Sequence, residues 1–168
     1  IMNEADETVA HFGDKFDIRW LKGRNLIHKL PPLPIYKSID TYKVASKHFY
    51  LNSYKLDYLG NILFSERKID VPYSLWKRIT LNDEPSAMSE MVDYCKQDVR
   101  LLRRVYKELI KYDAPKTHTG VHNGLDRWTC PHCGSESVYL SKTRVTPKGM
   151  KHRQMQCKEC RRYYSIVN

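Results

Sequence analysis

Two Cys-x-x-Cys pairs constrain this chain more than any other feature. Cys130-Pro131-His132-Cys133 is followed, after 23 residues, by Cys157-Lys158-Glu159-Cys160. Each such turn presents two thiolates to one ion, and two turns complete a tetrahedral Zn²⁺ shell. A module of this size cannot bury enough apolar surface alone, so the ion is expected to supply folding free energy. Between the pairs, Ser137 to Leu140 and Met150 to Gln156 alternate like strands of a hairpin, with Pro147 and Gly149 near its turn. The module holds no fifth ligand and no obvious general base, so the zinc reads as structural rather than catalytic.

The rest of the chain predicts a helix-rich domain. The longest helix spans Asp83 to Lys111. Met88, Val92, Cys95, Val99, Leu102, Tyr106 and Leu109 recur at helical spacing, and Met91 and Val105 widen the stripe. Asp83 is the expected N-cap, and Pro85 suits the first turn. Cys95, on this stripe, reads as a small buried hydrophobe. Tyr94 and Asp98 lie four residues apart and stack on one side of the helix, at the shoulder of the apolar stripe.

Upstream, Glu7 to His11 reads as a strand and Gly13 as a turn. Asp14 precedes an apolar-periodic segment from Phe16 to Leu30 that reads as a helix and is stopped by Pro31-Pro32. Ile35 to Ile39 reads as a second strand. Asp40-Thr41 caps a helix over Tyr42 to Tyr50, and Asn52-Ser53 opens another. Residues 64–74 read as irregular, and Leu75 to Ile79 as a single helical turn. Residues 113–126 read as a linker in which His118 and His122 are solvated. The expected organisation is therefore a domain over 1–112, a linker over 113–126 and a four-cysteine zinc ribbon over 127–168.

Charge points to a polyanionic partner. Residues 113–168 hold ten Lys/Arg against four Asp/Glu, and residues 1–112 nineteen against fifteen, so the smaller part carries +6 of the net +10. No apolar run approaches the roughly 18 residues of a membrane span. The first seven residues are acidic and lack a signal-peptide core. Metal ligation is thus favoured over disulfides, and an intracellular location, cytoplasmic or nucleoid-associated, is expected. Met stands second, so the sequence reads as a fragment.

Three pieces of the first domain carry a family resemblance. Val9-Ala10-His11-Phe12-Gly13-Asp14-Lys15-Phe16-Asp17 resembles the second motif of the DnaQ-like (DEDD) 3′–5′ exonucleases. Asp40-Thr41 and Leu56-Asp57-Tyr58-Leu59-Gly60 look like the middle helices of that family. Tyr94-x-x-x-Asp98 looks like its third motif in the tyrosine (DEDDy) form. The tail Gln156 to Ser165 is similar to zinc ribbons attached to DNA-handling proteins.

The resemblance implies an α/β, RNase H-like exonuclease domain, N-terminally incomplete and helix-rich, plus a small zinc-ribbon domain. It implies two-metal hydrolysis of phosphodiester bonds in DNA or RNA, with Mg²⁺ or Mn²⁺ held by carboxylates. Asp98 would hold the ion bearing the attacking water, Asp17 would serve the second ion, and Tyr94 would orient the water. His11, Lys15, Arg153, Lys158, Arg161, Arg162 and Tyr163 are the expected nucleic-acid contacts. The expected partner is a single-stranded DNA 3′ end, with a polymerase or other protein as a further one.

Two departures temper this. The family's first motif, Asp-x-Glu, is absent, because Glu4-Ala5-Asp6 has the reverse order and precedes the wrong strand. Phe12 stands where the family often has Asn. The alternatives are a non-catalytic nucleic-acid-binding module and a zinc-ribbon transposase or recombinase. Tyr94 counts against the last.

Overall fold

The computed structural model describes residues 2–67 and 71–167. The chain forms two compact units, Ile1–Asp113 and Ala114–Asn168.

In the first unit, β1 (Glu7–Ala10) pairs in parallel with β2 (Lys37–Asp40), in the register Glu7↔Lys37 to Ala10↔Asp40. Parallel strands need a long crossover. The crossover here contains α1 (Asp17–Ile27). The chain then runs through α2 (Thr41–His48), α3 (Leu56–Phe64), α4 (Tyr73–Asn82) and α5 (Pro85–Leu109). The core gathers Ile39 of β2, Val44 and Ala45 of α2, Leu56 and Leu59 of α3, and Leu101, Val105 and Leu109 of α5. Each large apolar side chain buried there stabilises by about 1.5–3 kcal/mol. A second cluster joins Leu75 of α4 to Ala87 and Met91 of α5, with Tyr94 packed against it.

The long helix is where its periodicity puts it, but its phase differs from expectation. Ala87, Met91, Leu101, Val105 and Leu109 are buried, whereas Met88, Val92 and Cys95 are exposed and Val99 is 63% exposed. Advancing by one residue rotates a helix by about 100°. Apolar residues occupy both stripes, so periodicity alone could not choose between them. Cys95 is accordingly a surface thiol, not a buried one.

The start of the helix also differs. Asp83 is not its N-cap. It ends α4 in the left-handed conformation, with φ 47°. Glu84 is the N-cap and makes no side-chain capping bond, and Pro85 opens the first turn as expected.

Other boundaries shift as well. α1 buries none of its residues. The single turn expected at Leu75–Ile79 is a ten-residue helix. Of the stretch expected to be irregular, Lys68, Ile69 and Asp70 lie outside the described residues.

The second unit begins before the expected ribbon. α6 (Thr119–His122) lies within the segment read as linker, and it is tied to the first cysteine pair. The Thr119 backbone N–H donates to Pro131 O at 3.0 Å, and its hydroxyl to His132 O at 3.2 Å. His118 caps this turn by accepting from the Val121 N–H. Beyond it, β3 (Val138–Val145), β4 (Lys151–Cys157) and β5 (Tyr163–Val167) form an antiparallel sheet in that order. The sequence reading contained the first two strands but not the third.

Candidate functional site

The second unit is organised around its four cysteines. Their sulfurs all lie within 4.8 Å of one another, with Cys130–Cys160 at 3.6 Å and Cys133–Cys157 at 3.7 Å. Tetrahedral coordination with Zn–S bonds of about 2.3 Å separates sulfurs by roughly 3.8 Å. A disulfide would bring two of them to about 2.05 Å. The geometry and the donor set therefore fit a structural Zn²⁺ ion.

Backbone bonds shape both turns. Cys130 N–H donates to Ser135 O, and Cys157 N–H donates to Arg162 O. Burial pushes the Cys130 thiol up to about 12. Burial opposes ionisation of Cys157 too, but N–H groups of Cys160 and Glu159 outweigh it and lower that thiol to about 7. Burial, reinforced by the cysteine sulfurs, pushes the Tyr164 phenol up to about 12. Its hydroxyl donates to Trp128 O at 2.9 Å.

In the first unit, the turn after β1 is built on Asp40. This carboxylate is 3% exposed. It accepts from the backbone N–H of Phe12 at 2.8 Å, of Tyr42 at 3.0 Å and of Asp14 at 3.3 Å. It therefore caps α2, as the sequence predicts, and also clamps the turn, which the sequence does not reveal. Asp14 accepts from the Ser38 hydroxyl and pairs with Lys43 at 2.6 Å. The hydrogen bond from Lys43 to Asp14 holds the Lys43 amine above its ordinary value. The Thr41 hydroxyl spends its one proton on Ala10 O, so it accepts from His11 Nδ1 at 2.9 Å, and that nitrogen carries a proton.

Asp17 is the first residue of α1. A Cβ built on Gly13 would lie 2.3 Å from Ala10 Cβ and 3.5 Å from Asp17 Oδ2. The turn thus accepts no side chain at residue 13, and Asp17 reaches back toward it. On α5, Tyr94 and Asp98 are both half-buried and one turn apart. Among the described residues, the four cysteines are the one set of three or more His, Cys, Asp or Glu side chains whose ligand atoms converge. Asp17 and Asp98 belong to no such set.

A family model described as RNase_H superfamily matches residues 1–110. The chain belongs to that superfamily. No curated protein and no solved structure matches the chain. Members of the RNase_H superfamily are mostly nucleases, which makes nucleic acid the coarse substrate class. The mixed α/β architecture and the additional four-cysteine unit agree with the fold class expected from sequence. No described helix is long and apolar enough to cross a membrane.

Within this RNase_H superfamily chain, the residues expected to contact nucleic acid are dispersed. His11 is bonded to Thr41, and Lys15 lies 5.7 Å from the Phe12 ring. In the second unit, Arg162 donates to His132 Nδ1 at 2.8 Å, which ties Arg162, just before β5, to the first cysteine turn. Burial, then the Arg162 charge, keeps His132 below its ordinary value. Arg153 lies over the Trp128 ring at 6.0 Å, on the sheet face opposite Tyr163. Lys158 and Arg161 are exposed in the second cysteine turn. The β-bulge between Leu140 and Lys142 decides which way Lys142 and Arg144 point, which the sequence alone does not reveal.

Proposed function

We propose that the chain acts on single-stranded nucleic acid as a 3′–5′ exonuclease of the RNase_H superfamily. In this reading Asp17 and Asp98 hold Mg²⁺ or Mn²⁺, and the Tyr94 hydroxyl orients the attacking water. The observation that carries it is the pairing of Tyr94 and Asp98, half-buried and one turn apart on α5, with an aspartate opening the helix that follows β1. Carboxylates suit hard divalent cations. When bound, a metal pair activates water and neutralises charge at the scissile phosphate. Phenols in general titrate at about 10 and are poor bases at neutral pH, so the role assigned to Tyr94 is orientation.

A second reading rests on a different observation. The sequence contains no Asp-x-Glu, and Asp17 and Asp98 gather no third ligand among the described residues. Two-metal chemistry ordinarily uses more carboxylates than these, so a non-catalytic binding module is the competing function.

One assay separates them: incubation of 5′-labelled single-stranded DNA with Mn²⁺ and this chain, beside the complete product of its reading frame. Products shortened stepwise from the 3′ end, and lost in Asp98→Ala, support the exonuclease. Binding without turnover in either protein supports the module. Turnover that survives Asp98→Ala removes Asp98 from the metal site.

A further inference from the structure

The three strands of the second unit contain four cations, Lys142, Arg144, Lys151 and Arg153, and no Asp or Glu. Register sorts them between two faces, because cross-strand partners point the same way. One face continues from the cysteine cluster: Val138 pairs with Cys157, Leu140 with Met155, Met155 in turn with Tyr164, and Thr143 with Arg153. The other begins with the row Tyr139–Gln156–Tyr163.

Simple alternation along β3 would put Lys142 and Arg144 on the cysteine side. The register instead shifts between Leu140 and Lys142, leaving Ser141 unpaired. Such a bulge reverses the alternation beyond it. Lys142 therefore pairs with Gln154, and Arg144 with His152, on the same face as Tyr139 and Tyr163.

We infer that this face is a binding platform for single-stranded nucleic acid. Tyr139 and Tyr163 would stack on bases, while Lys142 and Arg144 would pair with phosphates. The two rings are 44% and 52% exposed. They flank one central strand, so they sit roughly 10 Å apart, two strand spacings. The Tyr139 hydroxyl donates to Gln156 Oε1, and Gln156 Nε2 donates to Arg161 O, so that row is held in place before any ligand arrives.

The central strand argues against an apolar cover. It presents Gln156, Gln154 and His152 on this face. An apolar partner would have to desolvate Lys142 and Arg144, which are exposed beside that row, at a cost in free energy. A row of aromatic rings beside cations, on strands without carboxylates, fits a polyanion that also carries flat bases.

The inference rests on the nucleic-acid reading above and can be tested apart from hydrolysis. The zinc-loaded full chain would be titrated with labelled oligo(dT) in EDTA-free buffer without Mg²⁺ or Mn²⁺. Tyr139→Ala and Tyr163→Ala should each weaken binding about tenfold. Lys142→Ala with Arg144→Ala should lower the slope of log affinity against log salt by about 1.4, at roughly 0.7 per phosphate contact. Lys151→Ala, on the opposite face, is the control and should leave affinity nearly unchanged.

Unchanged zinc content would show that each variant still folds. Oligo(dT) binding indifferent to the tyrosines and to Lys142 and Arg144 would overturn the platform and leave the nucleic-acid reading standing. No binding by the unaltered chain would overturn both. Competition by polyglutamate or blunt duplex as effective as by oligo(dT) would show that charge alone is recognised, and would overturn the stacking role.

Discussion

Gly134 and Arg161 hold equivalent places in the two cysteine turns. Each directly follows the second cysteine of its pair, and each has a left-handed backbone, with φ 77° and 59°. Glycine enters that region without penalty, whereas a residue bearing a Cβ is strained there. Arg161→Gly is therefore expected to stabilise the second unit by up to about 1 kcal/mol, while Gly134→Ala destabilises it by a similar amount. Thermal unfolding of the zinc-loaded chain, followed by the amide signals of residues 114–168, reads both. Equal and same-signed shifts would contradict the equivalence.

Removing zinc should unfold the second unit selectively. The sheet, the cysteine turns and α6 converge on the four sulfurs, and few apolar side chains outside this cluster are buried there. A strong chelator is expected to abolish the dispersed amide signals of 114–168 and to spare those of the first-unit core around Leu59 and Val105. One zinc per chain should be recovered, and Cys130→Ser should lose it. Zinc binding must displace protons from the four thiols, so affinity should fall as pH is lowered. Chelation that leaves the amide spectrum intact would refute a structural role for the metal.

The two ends of this chain were unequally legible. The four-cysteine site followed from spacing alone, because four thiolates in two short turns have few other arrangements. The existence of α5 followed from period, but its buried face did not. Met88, Val92 and Val99 are as apolar as Ala87, Leu101 and Val105, and only tertiary packing against Leu59 and Leu75 distinguishes them. Asp83 misled because aspartate suits both an N-cap and a left-handed helix end. β5 was missed because Arg161-Arg162-Tyr163-Tyr164 reads as a contact surface, although Arg162 and Tyr164 are engaged internally. The proposed roles of Asp17, Tyr94 and Asp98 come from resemblance, not from spacing. The clamp by Asp40 depends on a turn 26 residues or more away in sequence, which local pattern cannot reveal.

Asp40→Ala should cost about 3 kcal/mol. The substitution removes an N-cap, worth about 1 kcal/mol. It also strands the N–H groups of Phe12 and Asp14 beside a buried position, each penalised on the order of 1 kcal/mol. Urea unfolding gives the magnitude. Loss of protection at the Phe12 and Asp14 amides, measured by hydrogen exchange, would locate the effect in the turn that carries Asp17. A cost below about 1 kcal/mol would mean the carboxylate only caps α2.

Arg78 and Glu84 make the junction of α4 and α5 sensitive to acid. Nε of Arg78 donates to Oε2 of Glu84 at 2.8 Å, and Nη2 donates to Oε1 at 2.6 Å. Those bonds, with help from the Ser86 hydroxyl, lower the Glu84 carboxyl to about 2 and raise Arg78 above its ordinary value. A carboxyl lowered on folding stabilises the native state above its unfolded value near 4.5, and that contribution disappears as pH falls toward 2. Both side chains are open to water, so the effect should be small and screened by salt. Glu84→Gln should therefore be less stable than the unaltered chain at neutral pH in low salt, and the gap should close between about pH 4.5 and 2. A gap that persists unchanged at the acid end of that window would show that Glu84 acts through packing rather than charge.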